Sequence, residues 1–98
     1  MTKLSETLPI EEARERLRKL ISELAVVRGK VTLASGKEAD YYVDLRRITL
    51  HHEASRLVGQ VMLDLLDRNG IEFEAAGGLT MGADPVGSAI MRAAGDQD

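Results

Sequence analysis

The residues best suited to hold an anion lie between Gly77 and Pro85, where the chain reads GGLTMGADP. Such a run is typical of a strand that ends in a loop of small residues before a helix begins. The loop leaves backbone N–H groups unpaired, and these groups together with the helix dipole suit a phosphate or pyrophosphate. Because the run matches neither the Walker pattern nor the dinucleotide-binding fingerprint, its spacing alone favours a plain tight turn over a phosphate site.

A second run that could do chemistry is SGKEADYY, which spans residues 35–42. Lys37 lies in a predicted turn, where its ammonium group can hold an anion. A tyrosine ring at the start of a strand can stack on a flat heterocycle and donate its hydroxyl to a polar edge. The residue types alone favour the simpler alternative, an exposed turn whose tyrosines pack beneath the first helix.

For the charged and imidazole side chains that follow this run, structural roles are favoured over catalysis or metal binding. Asp44, Arg46 and Arg47 are expected to form ion pairs at the strand end, a common and weak surface arrangement. His51 and His52 are adjacent at a predicted helix start, where neighbouring side chains point apart. We therefore expect no metal site at this pair, and we place His52 near the helix N-cap.

The elements that must position these residues begin with a long amphipathic helix. Apolar residues recur at three- and four-residue spacing, and Pro9 stands where the first turn would begin. Gly29 predicts the end of this helix, which we place at residues 9–28. A β-hairpin follows, with strands at residues 30–33 and 41–45 and a turn between them.

The second half of the chain predicts the start of an α/β sheet. A helix over residues 52–68 is expected to end at Asn69-Gly70. Residues 71–79 contain the run AAGGL, which is consistent with a buried parallel strand. Asp84-Pro85 is typical of a helix N-terminus, and Gly95 is expected to close that helix. The predicted order is α-β-β-α-β-α, with a lone parallel strand whose flanking strands are missing from the sequence.

Length and composition narrow the classes of protein. Ninety-eight residues with 44% hydrophobic and 30% charged side chains are ordinary for one globular domain. A net charge of −3 without a basic stripe argues against a nucleic-acid partner. The absence of cysteine excludes disulfides and thiolate metal sites, and it fits a cytoplasmic protein. No apolar run approaches about 18 residues, so we expect neither a signal peptide nor a membrane partner.

Taken together, the runs SGKEADYYVDLRRITLHHEAS and GGLTMGADPVGSAIM resemble those of orotate phosphoribosyltransferases of the actinobacterial kind. The two motifs agree with that family in order and spacing, and the resemblance extends over about residues 10–98. It implies an α/β protein with the type I phosphoribosyltransferase fold. About residues 1–50 would form the N-terminal hood, a helix plus β-hairpin, and residues 51–98 the start of the α/β core. Together they would make one incomplete domain.

The resemblance also implies a reaction. The family transfers a phosphoribosyl group from phosphoribosyl pyrophosphate (PRPP), taken with Mg²⁺, to orotate. The products are orotidine 5′-monophosphate and pyrophosphate, in the de novo pathway to UMP. The family further implies a homodimer whose active sites are shared between subunits. It draws its metal ligands largely from substrate and water, so no metal ligand is assigned to this chain.

Site residues follow from the resemblance position by position. Tyr42 and Val43 match positions that lie over the orotate ring. Many family members carry a lysine where this chain has Ala34, so a direct phosphate contact is either absent here or supplied by Lys37. Lys37 is also assigned to the orotate site. Many members also have a tyrosine and a lysine in the pyrophosphate loop where this chain has Met81 and Gly82, so only backbone binding carries over. That loop comprises Thr80, Met81, Gly82 and Ala83.

Two motifs of the family are absent from the sequence. One is a mobile catalytic loop rich in Lys, Arg and His, and the other is an acidic motif that grips the ribose 5-phosphate. Both would lie beyond Asp98, so no catalytic residue is assigned and these 98 residues alone are expected to lack full activity. The alternative from another class is a non-catalytic module that binds a nucleotide or pyrophosphate, or an inactive fragment.

Overall fold

The computed structural model describes residues 8–79 and 81–97. It contains four α-helices and one β-hairpin. The bounds of the helices are α1, Ile10–Leu20; α2, Arg46–Thr49; α3, Ala54–Arg68; and α4, Asp84–Gln97. The hairpin strands are β1, Val26–Thr32, and β2, Glu38–Val43, and they form a two-stranded antiparallel sheet.

Helix α1 starts where the sequence predicts and ends earlier than expected. Glu11 and Glu12 in its first turn and Arg18 and Lys19 in its last turn complement the helix dipole. The predicted continuation to residue 28 is wrong. The chain instead widens into a π turn, Ile21–Ala25, and then extends as a strand. This change of path starts the hairpin at the end of the π turn.

Two valines explain why the strand begins at Val26 rather than at residue 30. Val26 and Val27 are β-branched and pair with Val43 and Tyr42 on β2. Gly29 was expected to stop the helix, but it lies within β1 at a φ of 116°. The strand register shifts between Arg28 and Val31, so this glycine supplies the conformation that a β-bulge requires.

The connection between the hairpin and α3 is helical, although the sequence predicts an irregular connection. It forms the short helix α2, whose Ile48 is almost fully buried at 1% exposure. Helix α3 ends as expected at Asn69-Gly70. The N–H of Gly70 donates to the carbonyl of Asp67 at 3.1 Å, and the N–H of Ile71 donates to Leu66 at 3.0 Å. These two bonds make a Schellman motif.

The predicted parallel strand within residues 71–79 is not formed in the described part of the chain. Parallel strands are stable only beside other strands, and the residues described offer this segment no partner. It runs as irregular backbone from α3 to α4. Helix α4 begins at Asp84 as predicted, but it continues through Gly95 to Gln97.

The core lies where α1, the π turn, α2 and α3 meet. Its buried side chains are Ala13, Leu20, Ala25, Ile48, Ala54 and Leu57. Helix α4 packs against α3, and the contact is so close that a Cβ on Gly59 of α3 would lie 2.7 Å from the carbonyl carbon of Ala89. The hairpin contacts the helices mainly at its base, through the π turn. It therefore projects from the helical core.

A charged pair joins α1 to the start of α3. Nε and Nη2 of Arg16 donate to the two carboxylate oxygens of Glu53 at 2.8 and 3.0 Å. The guanidinium lowers the pKa of the Glu53 carboxyl below its ordinary value of 4.5, against a smaller opposing effect of burial. In the described residues, no helix is both long enough and apolar enough to cross a bilayer.

Candidate functional site

The hairpin turn places Lys37 in solvent at the far end from the helices. The N–H of Gly36 donates to the carbonyl of Leu33 at 2.9 Å, and the N–H of Leu33 donates to the carbonyl of Lys37 at 2.8 Å. Gly36 takes a φ of 86°, which this tight connection requires. The turn is thus closed by backbone bonds, and the exposed side chains of Lys37 and its neighbour Glu38 extend from it.

The two tyrosines of β2 face opposite sides of the hairpin, because side chains alternate along a strand. Tyr42 lies across from Val27 and is half-buried. Tyr41 lies across from Arg28 and is 57% exposed, and Val43 shares its face at 45% exposure. Tyr42 and Val43 are therefore on opposite faces. A flat ring can lie against the side chain of one of them, while the other contributes through its backbone or from the opposite side.

The charged cluster at the end of β2 forms as the sequence predicts. Arg46 donates from Nε and Nη2 to the carboxylate of Asp44 at 3.0 and 3.2 Å, and Nε of Arg47 lies 3.7 Å from the same group. The hydrogen bonds from Arg46 lower the pKa of the Asp44 carboxyl below its ordinary value of 3.8.

Asp44 also ties the hairpin to the π turn. Its backbone N–H donates to the carbonyl of Ala25 at 2.8 Å. Nη1 of Arg47 reaches the carbonyl of Leu24 at 3.5 Å, at the end of the π turn. The cluster thus fixes the base of the hairpin to the helical core, and its role in the structure is to hold the hairpin in place.

Residues 77–79 and 81–83 are irregular backbone or turn before α4, and most of them are exposed. Thr80 lies outside the described residues. Met81 is 88% exposed and Gly82 is exposed, while Ala83 is half-buried. The carbonyl of Ala83 accepts the N–H groups of Val86 and Gly87 at 3.1 and 3.2 Å, which starts the first turn of the helix. The predicted strand before the loop is absent, but the predicted loop and helix N-terminus are present.

The two predicted regions lie on separate elements. The loop belongs to α4, which packs on α3, whereas the hairpin is attached to the π turn after α1. Helices α1 and α3 pack together between them. Within the described residues no group of three or more His, Asp or Glu side chains is arranged to hold a metal ion. The arrangement offers a cation and aromatic rings on the hairpin and exposed residues, Met81 and Gly82, on the loop.

Three structural roles could not be read from residue types. The ring of His51 caps α3: its Nδ1 accepts the N–H groups of Glu53 and Ala54 at 3.2 and 3.1 Å. This corrects the expected assignment of His52 to the N-cap. The two imidazole rings do not point apart, since their centroids are 4.5 Å from each other. Histidine is an uncommon cap, so no sequence signal identified it.

The second structural role that residue types did not reveal is that of the Asp84 carboxylate. The sequence predicts a helix cap, but Oδ1 of Asp84 accepts the N–H of Gly78 at 3.2 Å, across the loop. The third is the close approach of Gly59 to α4. A glycine inside an apolar helical run is a signal for close packing, although it does not reveal the partner.

The chain is similar in sequence to orotate phosphoribosyltransferases. No protein-family model matches the chain. It is 61% identical over 83 residues to the orotate phosphoribosyltransferase of Streptomyces coelicolor, a match that covers 85% of this chain and 44% of the relative. It is 58% identical over 84 residues to the enzyme of that name from Corynebacterium glutamicum, covering 86% of this chain and 45% of the relative.

Solved structures give the same result. Orotate phosphoribosyltransferase of Mycobacterium tuberculosis in complex with inorganic phosphate matches with a TM-score of 0.72 at 54% identity, over 84% of this chain and 48% of that one. The same protein in complex with PRPP matches with a TM-score of 0.68 at 52% identity, over 83% and 46%. UMP synthase of Leishmania donovani matches at 28% identity with a TM-score of 0.60, over 94% and 19%.

These matches confirm two predictions for the portion that the chain covers. The resemblance to actinobacterial orotate phosphoribosyltransferases is confirmed by sequence identity. The predicted phosphoribosyltransferase fold, with a helix-plus-hairpin hood, is confirmed by structural similarity. The chain spans less than half the length of the curated relatives it matches.

Proposed function

We propose that this chain forms the orotate-facing part of an orotate phosphoribosyltransferase, which transfers phosphoribosyl from PRPP to orotate. The observation that carries the proposal is identity of 58–61% over most of the chain to enzymes of that name. The helix, hairpin and loop that bear the candidate residues all lie in a fold similar to that of the Mycobacterium tuberculosis enzyme. The products are orotidine 5′-monophosphate and pyrophosphate, as a step towards UMP.

In this proposal the hairpin covers orotate. Orotate is a flat anion, and the hairpin presents an exposed ammonium group at its turn and aromatic rings on both faces. Lys37 pairs with the carboxylate of orotate. Tyr42 stacks on the ring. Stacking adds about 0.5–1.5 kcal/mol to the binding free energy, in addition to the contribution of the apolar surface that is buried. Because Val43 faces the opposite side of β2, it contributes its backbone to the polar edge of orotate.

The loop before α4 holds the pyrophosphate group in this proposal. The backbone N–H groups of Met81, Gly82 and Ala83 lie just before a 14-residue helix whose dipole favours an anion, and we assign Thr80 to the same site. The exposed positions of Met81 and Gly82 leave their backbone accessible to substrate. Their side chains add no charge, so binding depends on the backbone and on the orientation of the loop.

Magnesium enters this scheme as part of the substrate. Mg²⁺ in proteins is commonly held by one or two carboxylates with substrate phosphates and water. In this proposal the ion arrives with PRPP and leaves with pyrophosphate, and no residue of this chain is assigned as its ligand. When bound, the ion neutralises charge on the departing pyrophosphate.

The transfer itself needs positioning and charge stabilisation more than proton transfer. A ribosyl oxocarbenium-like transition state is reached when the nucleophilic nitrogen of orotate and the C1 atom of PRPP are held in line. The hairpin and the loop would orient one partner each. The remaining catalytic groups are proposed for the part of the relatives' length that this chain does not cover. We further propose a cytoplasmic homodimer with active sites shared between subunits.

The proposal is tested by PRPP-dependent loss of orotate in the presence of Mg²⁺, measured together with release of pyrophosphate. The protein should be the gene product read to its natural stop codon. Loss of orotate with matching pyrophosphate supports the proposal. A folded product that binds PRPP or pyrophosphate but consumes no orotate refutes it and supports a non-catalytic binding module.

Variants of two lysines test the orotate site. Lys37→Ala should raise KM for orotate about tenfold or more, because a charge-assisted hydrogen bond contributes about 1.5–3 kcal/mol. Lys30→Ala is the matched control, since Lys30 is exposed on β1 of the same hairpin but outside the turn. Equal values of KM for the two variants would remove Lys37 from the site.

A further inference from the structure

The two ends of the loop before α4 are fastened to each other. The N–H of Gly78 donates to Oδ1 of Asp84 at 3.2 Å, joining residues six positions apart. Gly78 also lies so close to the helix start that a Cβ there would be 2.6 Å from the nitrogen of Asp84 and would overlap Ala83. The ends of the loop therefore meet at backbone distance, and we call the bonded pair of Gly78 and Asp84 the loop clamp.

A second close approach supports the loop clamp from the helix side. Gly87, in the first turn of α4, lies against the backbone of Gly77. A Cβ on Gly87 would be 2.8 Å from the Cα of Gly77 and 3.0 Å from its nitrogen and carbonyl carbon. The first turn of α4 thus packs closely against the segment that leads into the loop. Both ends of the loop are set by backbone packing and by one side-chain hydrogen bond.

The side chains at the tip of the loop add little to its definition. Leu79 is 98% exposed and Met81 is 88% exposed. Side chains so exposed bury almost no apolar surface, and burial of such surface is what normally fixes a loop of this kind. The side chains of Leu79 and Met81 therefore contribute little to holding the loop, and the hydrogen bond that Asp84 accepts joins its two ends.

We propose that Asp84 is a positioning residue for the pyrophosphate loop, acting through its bond to Gly78 and not by touching substrate. This inference rests on the proposed function. A carboxylate is a poor direct partner for pyrophosphate, because two negative groups repel each other at short range. Bonded to Gly78, the same carboxylate instead fixes the direction in which the loop presents its N–H groups. The loop clamp thereby prepares the anion site before substrate arrives.

The test compares Asp84→Ala with Asp84→Asn in the gene product read to its natural stop codon. Asparagine keeps an oxygen that can accept the Gly78 N–H, whereas alanine removes the acceptor. With Asp84→Ala, KM for PRPP should rise about tenfold, since a hydrogen bond of about 1.4 kcal/mol corresponds to a factor of ten. KM for orotate should not change, because the hairpin is attached elsewhere. Asp84→Asn should restore KM for PRPP.

Amide hydrogen exchange at Gly78 provides a readout that does not depend on activity. Exchange at this amide should be faster in Asp84→Ala and close to wild type in Asp84→Asn. Unchanged exchange in Asp84→Ala would overturn the loop clamp. Faster exchange with an unchanged KM for PRPP would overturn its role in positioning, as would equal impairment of the two variants, because the charge would then matter more than the bond.

The two proposals fail in different ways. If the wild-type product consumes no orotate, the proposed function fails, and the assignment of the loop to pyrophosphate fails with it. Faster exchange at Gly78 in Asp84→Ala would still establish the clamp as a structural device. If the wild-type product is active and Asp84→Ala behaves as wild type in both measurements, the proposed function stands and the inference on Asp84 is wrong.

Discussion

Replacement of Gly59 by alanine should destabilise the fold by separating α3 from α4. A Cβ at this position would overlap the carbonyl oxygen of Ala89 and lie 2.7 Å from its carbon, against 3.4–4 Å for ordinary van der Waals contact. The obstruction is backbone of a 14-residue helix, so it cannot be relieved by rotation of a side chain. One of the two helices must move by about 1 Å for contacts to become acceptable.

The magnitude follows from two opposing effects. Overpacking of this kind costs about 1–3 kcal/mol, and a rigid backbone partner favours the upper half of that range. Alanine inside a helix is more favourable than glycine by about 1 kcal/mol, which offsets part of the cost. The net loss is therefore about 1–2 kcal/mol. For a domain of this size, each kcal/mol shifts Tm by roughly 4–8 °C, so Tm should fall by roughly 5–15 °C.

The assay is thermal unfolding followed by far-UV circular dichroism, with Gly95→Ala as the matched control. Gly95 lies in α4, is exposed, and would place a Cβ in open space. The control receives the helix-propensity gain without the clash, so its Tm should equal or exceed that of the wild type. A Tm for Gly59→Ala at or above that of Gly95→Ala would refute the close approach of the two helices.

Three further outcomes are expected at the junctions of α3 and the hairpin. Glu53→Gln, which weakens the pair with Arg16, should lower the free energy of unfolding by about 1 kcal/mol or less, as measured by urea titration. His51→Ala should lower the free energy of unfolding by about 1 kcal/mol, because it removes the cap of α3. His52→Ala is the control and should lower it less. Equal effects of the two variants would exclude the cap. The carboxyls of Asp44 and Glu53 have lowered pKa values when folded, so their contribution to stability is present above their ordinary values of 3.8 and 4.5 and is lost as the pH falls below them. If urea midpoints are measured between pH 7 and pH 3, the midpoint concentration should therefore decrease once the pH is below about 4.5. A midpoint that does not change with pH would contradict this linkage.

The local signals in the sequence were sufficient for several elements. Asn69-Gly70 ends α3 because a glycine after the last turn allows the two Schellman bonds, which involve neighbouring residues alone. Asp84-Pro85 begins α4 for the same kind of reason, since proline suits a first turn and needs no distant contact. The ion pairs of Asp44 with Arg46 and Arg47 were also predictable, because their separation along the chain is at most three residues.

Features that depend on distant contacts were predicted wrongly. The end of α1 and the start of β1 were misplaced because Val26 and Val27 pair with residues of β2 sixteen or so positions away, and that pairing outweighs helix propensity. Gly29 reads as a helix stop in the sequence, but the strand register makes it a bulge. The parallel strand expected in residues 71–79 fails because a strand needs a neighbour, which the described residues do not supply.

The sequence by itself indicated the resemblance to one family and the candidate residues, while the tertiary structure decided how those residues are presented. The motifs around Lys37 and Gly82 were enough to indicate orotate phosphoribosyltransferases, because the order and spacing of their residues can be read directly from the sequence. Only the folded structure revealed that Tyr42 lies across from Val27 in the hairpin and that Asp84 is bonded to the far end of its loop. Strand register and loop closure are set by pairs of distant backbone groups, and no local pattern of residues encodes the distance between them.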